Sequence, residues 1–382
     1  MTPIKWDGST WVDTTEDDSD WYDYTAKKWA NARTADGSMW VWIPRYIYKI
    51  TSGWHSATAG KIEVQFSKGT NDNWNSSVIG NIDTGTTSNA SNNKWTNHPA
   101  FNFGGTQLTG FWVAKFEASS YDTWCDNELA SGCSTSSCKS ACDRTISSPA
   151  FKPNAYSWRT VSVNNAFILS RNMETNSKYG WGTSGSGIDT HLMKNVEWGA
   201  VAYLTTSIYG NNNLLWRNNS YPYTTGCVGN SINAGAYWEG CAYQYHTGNG
   251  VRGSTTGNIY GVYDLRGGGN EILAAYIDNN HDTLNQHGSS LVSAASKYKD
   301  VYPTSYNNTI NKKGDAFYET SNRDTGRYAW NNSHIGSPGF FIERGGFTNS
   351  GDTTSQIFGI TFSTGGSDTG TFRTVLLVGE GL

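Results

Sequence analysis

Between Phe358 and Ser363 apolar and polar residues take turns, with Phe358, Ile360 and Phe362 set against Gly359, Thr361 and Ser363. A period of two sends successive side chains to opposite faces, so this run predicts a strand with one packed and one solvated face. The pattern predicts two strands here, at 356–363 and 371–377, joined as a hairpin by a Gly/Ser/Thr/Asp-rich turn. Gly345 and Gly346 stand where a sharp turn needs φ > 0, which glycine takes without a Cβ clash. Upstream, 39–50 (MWVWIPRYIYKI) is apolar enough for one long strand, and 111–117 (FWVAKFE) for another. In 1–35, aromatic pairs flank an Asp-Gly turn and an acidic loop, which predicts short antiparallel strands.

Two stretches change period. In 157–172, Val163, Ala166, Phe167 and Ser170 follow helical spacing, with Ser162 as N-cap. In 191–209, Leu192, Val196, Ala200, Tyr203 and Ser207 fall on one stripe and Gly210 follows as a stop. The polar stretch 280–335 predicts loops with one short helix near 291–298.

Composition sharpens this picture. The 382 residues are 36% hydrophobic and 16% charged, yet 14% aromatic, with 17 Trp and 22 Tyr. Disordered chains lack aromatics, so the low charge points to a loop-rich β fold whose rings supply core area. A net charge of −4 argues against nucleic acid or an anionic membrane as the main partner. No apolar run approaches the ~20 residues of a membrane span. The opening MTPIKWDGSTW has no signal-peptide core, so any export signal or anchor is expected to have been removed or to lie outside this sequence.

Six cysteines remain. Cys125, Cys133, Cys138 and Cys142 crowd one polar segment, and Cys227 and Cys241 lie further on. A zinc knuckle would need a CxxC pair or a neighbouring His, and neither is present. Two bridges among the first four, with their pairing open, and a third between Cys227 and Cys241 is the expected arrangement. It implies an oxidising, extracellular or cell-surface setting.

Five landmarks occur in order: the IP strand at 39–50, the KFE segment ending at Glu117, MKNVEWGAVAYL at 193–204, TGNIYGVYDLRGGGNE at 256–271, and the frame of RGG, apolar strand and FR at 344–373. Together they resemble the formylglycine-generating enzyme (sulfatase-modifying factor) family, a branch of the C-type-lectin-like fold. The wording at 193–204 is similar to the variable proteins of diversity-generating retroelements and to prophage and surface relatives. The N-terminal stretch resembles segments that precede lectin-like domains in bacterial pilin-like proteins. The resemblance implies an α+β, C-type-lectin-like domain with two helices and antiparallel strands over 39–382. Insertions fall at about 51–98, 120–150 and 211–256, and 1–38 forms a short β extension. Asn270 departs from the pattern, standing where such relatives carry an aromatic.

Catalysis does not carry over. Formylglycine-generating enzymes use a pair of cysteines in their C-terminal region, and this chain has none after Cys241. Iron enzymes of the fold need clustered His ligands, whereas His191, His246, His281, His287 and His334 are scattered. No GxSxG elbow, phosphate loop or HExxH is present. No catalytic residue and no cofactor are therefore expected, and a formylglycine-generating-type oxidoreductase is the alternative. The family's structural Ca²⁺ would fall to Asp264 and Glu271 with the Gly267 and Gly268 carbonyls, against a turn held by a buried Glu accepting backbone N–H bonds. The sugar-binding loops of the fold are matched only in part, by Lys152-Pro153-Asn154 and Trp330-Asn331-Asn332.

Surface binding remains. Phe341, Glu343, Phe347, Thr348, Asn349, Asp352, Thr353 and Thr361 lie between glycines on the strands that the resemblance exposes. Aromatic, Asn, Asp and Thr side chains form adaptable contact sets. The expected role is adhesion to a protein or cell-surface ligand, on a pilus or as a phage tail receptor-binding protein, through a surface that a retroelement could diversify. A solvated hairpin without a partner is the competing account.

Overall fold

The computed structural model describes residues 1–54, 60–74, 82–83, 93–120, 142–145, 147–183, 187–232, 234–235, 238–305, 313–316, 319–320, 341–346, 357–366 and 370–379. Sixteen strands matter to the site. Those of the N-terminal third are β1 (Thr2–Trp6), β2 (Trp11–Asp13), β3 (Asn31–Arg33), β4 (Met39–Pro44), β5 (Tyr46–Ser52), β6 (Lys61–Phe66), β7 (Ile82–Asp83), β8 (Trp95–Asn97) and β9 (Gly110–Ala114). Later come β10 (Ile188–Leu192), β11 (Asn270–Asp278), β12 (Asp300–Pro303), β13 (Phe341–Arg344), β14 (Ile360–Ser363), β15 (Gly370–Phe372) and β16 (Thr374–Val378). Three α-helices lie among the described residues: α1 (Val163–Asn172), α2 (Asn195–Thr206) and α3 (Asp282–Ser293). The protein is a mixed α+β fold with several largely antiparallel sheets and few helices.

A seven-stranded antiparallel sheet in the order β10-β16-β9-β4-β3-β1-β2 divides the interior. Its strands alternate as a pleat requires. Val41, Ile43, Phe111, Val113, Val375 and Leu377 face one apolar cluster with α2, while Trp40, Ala114 and Leu376 face a second with α1 and α3. The pairing of Asn31 with Val41 and of Arg33 with Met39 makes residues 1–38 continuous with this sheet. A second sheet runs β12-β11-β13-β14, with β15 also parallel to β11. β11 divides its side chains between the two clusters: Leu273, Ala275 and Ile277 go one way, Ile272, Ala274 and Tyr276 the other. A third sheet has the order β6-β5-β8-β7.

The helices show where tertiary structure overrules local pattern. α1 forms as its spacing predicts, and the Ser162 hydroxyl accepts the Asn165 N–H at the N-terminus. α2 begins later than the stripe predicts, because Ile188–Leu192 pairs with β16. Its first turn is closed by the Lys194 N–H donating to Glu197 Oε2 at 2.8 Å. Instead of one apolar stripe, α2 is buried all round from Asn195 to Thr205. The far side is so close that a Cβ on Gly199 would stand 1.8 Å from the Gly314 carbonyl oxygen. α3 begins earlier than the helix predicted near 291–298 and reaches only its first residues, to Ser293, after which a short 3-10 turn follows at Ser296–Tyr298.

Two strand expectations are corrected. The run 39–50 is two strands in different sheets, because Pro44 ends β4 and Arg45 turns the chain. There the Arg45 N–H donates to Thr109 O while its guanidinium holds Asp72 at 2.6 and 2.7 Å. The two C-terminal strands form no hairpin with each other. β14 pairs with β13, and the chain then returns along β11 as β15 before β16 enters the seven-stranded sheet. Cys227 and Cys241 are bridged, as expected. Cys142 is also disulfide-bonded, and Cys125, Cys133 and Cys138 lie outside the described residues.

Candidate functional site

Arg344 ends β13 and is 1% exposed. Its Nε donates to Asn195 Oδ1 at 2.8 Å, and Nη1 to the carbonyls of Phe358 and Gly359 at 3.1 and 3.2 Å. Nη2 reaches Asp315 O at 2.5 Å. Burial lowers its pKa to about 10, which leaves it charged at neutral pH. Beyond it, Gly345 and Gly346 take φ of +79° and +69°, the left-handed turn foreseen for this pair. Gly345 O accepts from Gly267 N–H at 3.0 Å, and Ile357 O from the Trp198 indole at 2.6 Å. The residues that flank segment 347–356 are therefore fixed to buried partners.

The candidate binding residues divide on this frame. Phe341 is 0% and Glu343 4% exposed, which corrects their placement on a binding surface. β13 sends Phe341 into one apolar cluster and Ile342 into the other, so both its faces are covered. Phe341 meets Tyr276 at a ring separation of 6.2 Å. Burial pushes the Glu343 carboxyl up to about 7, against hydrogen bonds from Ser363 and Asn270. Asn270 thus serves a buried carboxyl where an aromatic could not. Thr361, on the edge strand β14 opposite Glu343, is half-buried. Phe347, Thr348, Asn349, Asp352 and Thr353 lie outside the described residues, as do Trp330, Asn331 and Asn332.

The proposed calcium ligands are otherwise occupied. Arg373 grips Glu271 through Nε at 3.0 Å and Nη2 at 2.7 Å, and donates to the carbonyls of Ala114 and Tyr263. Asp264 accepts the Gly226 N–H and the Asn218 amide. Burial raises Asp264 to about 6 and moves Glu271 upward despite Arg373. The glycine turn is held by a buried Glu from elsewhere in the chain, Glu117, which accepts the Gly269 N–H at 3.0 Å and the Ser157 hydroxyl at 2.6 Å. Among the described residues no group of three metal-ligating side chains is disposed around a common point.

His191 is enclosed in an ion network at the junction of α1, β10 and α2. Its Nδ1 lies 2.7 Å from Asp189 and its Nε2 3.0 Å from Glu197, with no solvent exposure. Burial disfavours the imidazolium, but the two carboxylates outweigh it and raise the His191 pKa. Arg171 and Lys194 complete the charge balance at 3.1 and 3.2 Å. With both ring nitrogens held by carboxylates, this imidazole has no lone pair for a substrate proton. Alternation along β10 could have revealed Asp189 and His191 on one face; Glu197 needed the fold. A second buried carboxyl, Glu319, accepts from Tyr48, Tyr203 and the Gly314 N–H, and burial raises it to about 7. The Glu319 cluster did not show in the sequence, because Tyr48 and Glu319 are 271 positions apart.

No protein-family model and no curated protein matches this chain.

Proposed function

We propose that the chain is a non-catalytic binding protein of C-type-lectin-like architecture, working outside the cell and contacting its ligand through segment 347–356. The observation that carries this reading is the frame just described. Arg344, Trp198 and Gly267 pin the two ends of that segment to buried partners, so its side chains can vary while the backbone entry and exit stay fixed. Most surface substitutions change stability by less than about 0.5 kcal/mol, so such a segment can be rewritten without loss of the fold.

Three features support the wider reading. The residues that carry the family resemblance meet in space: Glu117 takes the glycine turn before β11, and Glu271 pairs with Arg373. The Cys227–Cys241 bridge is the kind of bond an oxidising compartment maintains. The ionised groups nearest to a catalytic arrangement are paired with one another rather than aimed at a cavity. No helix among the described residues is long and apolar enough to cross a membrane.

The test is binding of fluorescently labelled protein to a panel of intact bacterial and host cells. Replacing Phe347, Asn349, Asp352 and Thr353 together by Ala should abolish cell binding and leave the melting temperature within a few degrees of the parent. Full binding by that variant, or no binding of the parent to any cell, would show the wrong segment was chosen. Formation of aldehyde from a cysteine peptide, with or without copper, would restore the oxidoreductase reading.

A further inference from the structure

Antiparallel pairing fixes which way the backbone of β6 points. The Ser67 N–H donates to Arg45 O, so the pairs that exchange both bonds with β5 are Gln65 with Ile47 and Glu63 with Lys49. The N–H and C=O groups of Ile62 and Val64 then point out of the sheet. β6 is an edge strand, and among the described residues no strand lies beyond it. At Phe66 the outward carbonyl is capped by the Trp74 indole at 2.8 Å.

A groove of about 450 Å³ follows this edge. It is lined by Glu63, Val64, Gln65 and Phe66 in succession, and consecutive strand residues face opposite ways, so it must run along the strand's rim. Its walls include Trp74 and Ile208, which are 48% and 71% exposed, and Tyr209 packed on Phe66 at 4.5 Å. Backbone donors and acceptors that have no partner among the described residues, beside an exposed apolar wall, are complementary to another extended backbone carrying apolar side chains.

We propose that the rim of β6 is a docking site for an extended peptide segment of another polypeptide, added as a strand against Ile62 and Val64. The site is separate from segment 347–356 and does not depend on that segment's role. A second copy of the chain paired about Val64 fits less well. Two-fold pairing centred on Val64 would need the Phe66 carbonyl of each copy for the Ile62 N–H of the other, and Trp74 already holds it.

The experiment selects displayed random peptides of about ten residues on the immobilised full-length chain. Synthetic versions of the enriched peptides are then measured by fluorescence anisotropy. Enriched peptides should alternate apolar residues, and N-methylation of one alternate set of their amides should weaken binding about tenfold or more, while the other set is tolerated. Trp74→Ala and Ile208→Ser should each weaken binding about tenfold with an unchanged melting curve. The N-methyl series tests the backbone contact even if a protein variant fails to fold. The proposal is overturned by no enrichment over blank support, by indifference to N-methylation, or by full binding in both wall variants. It is also overturned by a parent that is dimeric and becomes monomeric in Val64→Pro, since a second copy would then cover the rim.

Discussion

Arg344 shows how much one side chain can organise. Four carbonyls and one side-chain amide accept from its guanidinium, all of them buried. Arg344→Met keeps much of the volume but orphans these acceptors, so urea unfolding should show a loss of about 3–5 kcal/mol. A loss below about 1 kcal/mol would mean that water satisfies them and the frame is not held by this residue. Glu319 carries a pH signature. Its folded pKa is raised from 4.5 to about 7 by burial, so the stability it lends is present below 4.5 and lost as pH rises through 7. In Glu319→Gln that decline should vanish. Melting temperatures of parent and variant should diverge between about pH 5 and pH 8, the parent falling relative to the variant. Parallel curves would assign the charge elsewhere. Residue identities alone made the glycine turn after Arg344 legible, since φ > 0 is a property of glycine itself. Phe341 and Glu343 were misread because the resemblance implies C-terminal strands exposed on one side, and nothing within residues 341–344 contradicts it. Only the packing of Phe341 and Ile342 into opposite clusters reveals that both faces are covered.

Among the elements, helix α1 was readable to its cap, because Ser162 bonds within its own first turn and needs nothing distant. The start of α2 was not, since residues 188–192 have a partner 180 or more positions away in β16. The same holds for β14 and β16, each of which answers to a different sheet. Alternation correctly picked the packed face of β14, but unevenly. Phe358 is buried and stacks near Tyr203 at 5.9 Å, whereas Phe362 is only half-buried. Phe358→Ala should therefore destabilise by about 3–5 kcal/mol and Phe362→Ala by less than about 2 kcal/mol, read from thermal melts. Equal losses would place both rings in the core.

On the scale of the whole molecule, the bridge between Cys227 and Cys241 closes a loop of sequence separation 14 in a stretch with little regular structure. Replacing both cysteines by Ser should lower stability by about 2–4 kcal/mol, chiefly by freeing the unfolded chain, and reducing agent should no longer affect the variant at that loop. Reduction of the parent that leaves its melting curve in place would show the bridge to be dispensable. Composition foresaw such staples and the aromatic core. It could not foresee that residues 1–38 extend the seven-stranded sheet, because β1–β3 are short and their neighbours are chosen by β4.

The place of β16 in that sheet sets an order of events in time. Residues 374–378 lie between β9 and β10, so the sheet stays split until nearly all the described chain has been synthesised. A ribosome reading from the N-terminus must hold residues 1–192 without their central partner, and non-local pairings of this kind form slowly. The two apolar clusters that this sheet divides therefore stay open on one side until β16 arrives. Residues 374–378 then act as the latch that closes both clusters at once.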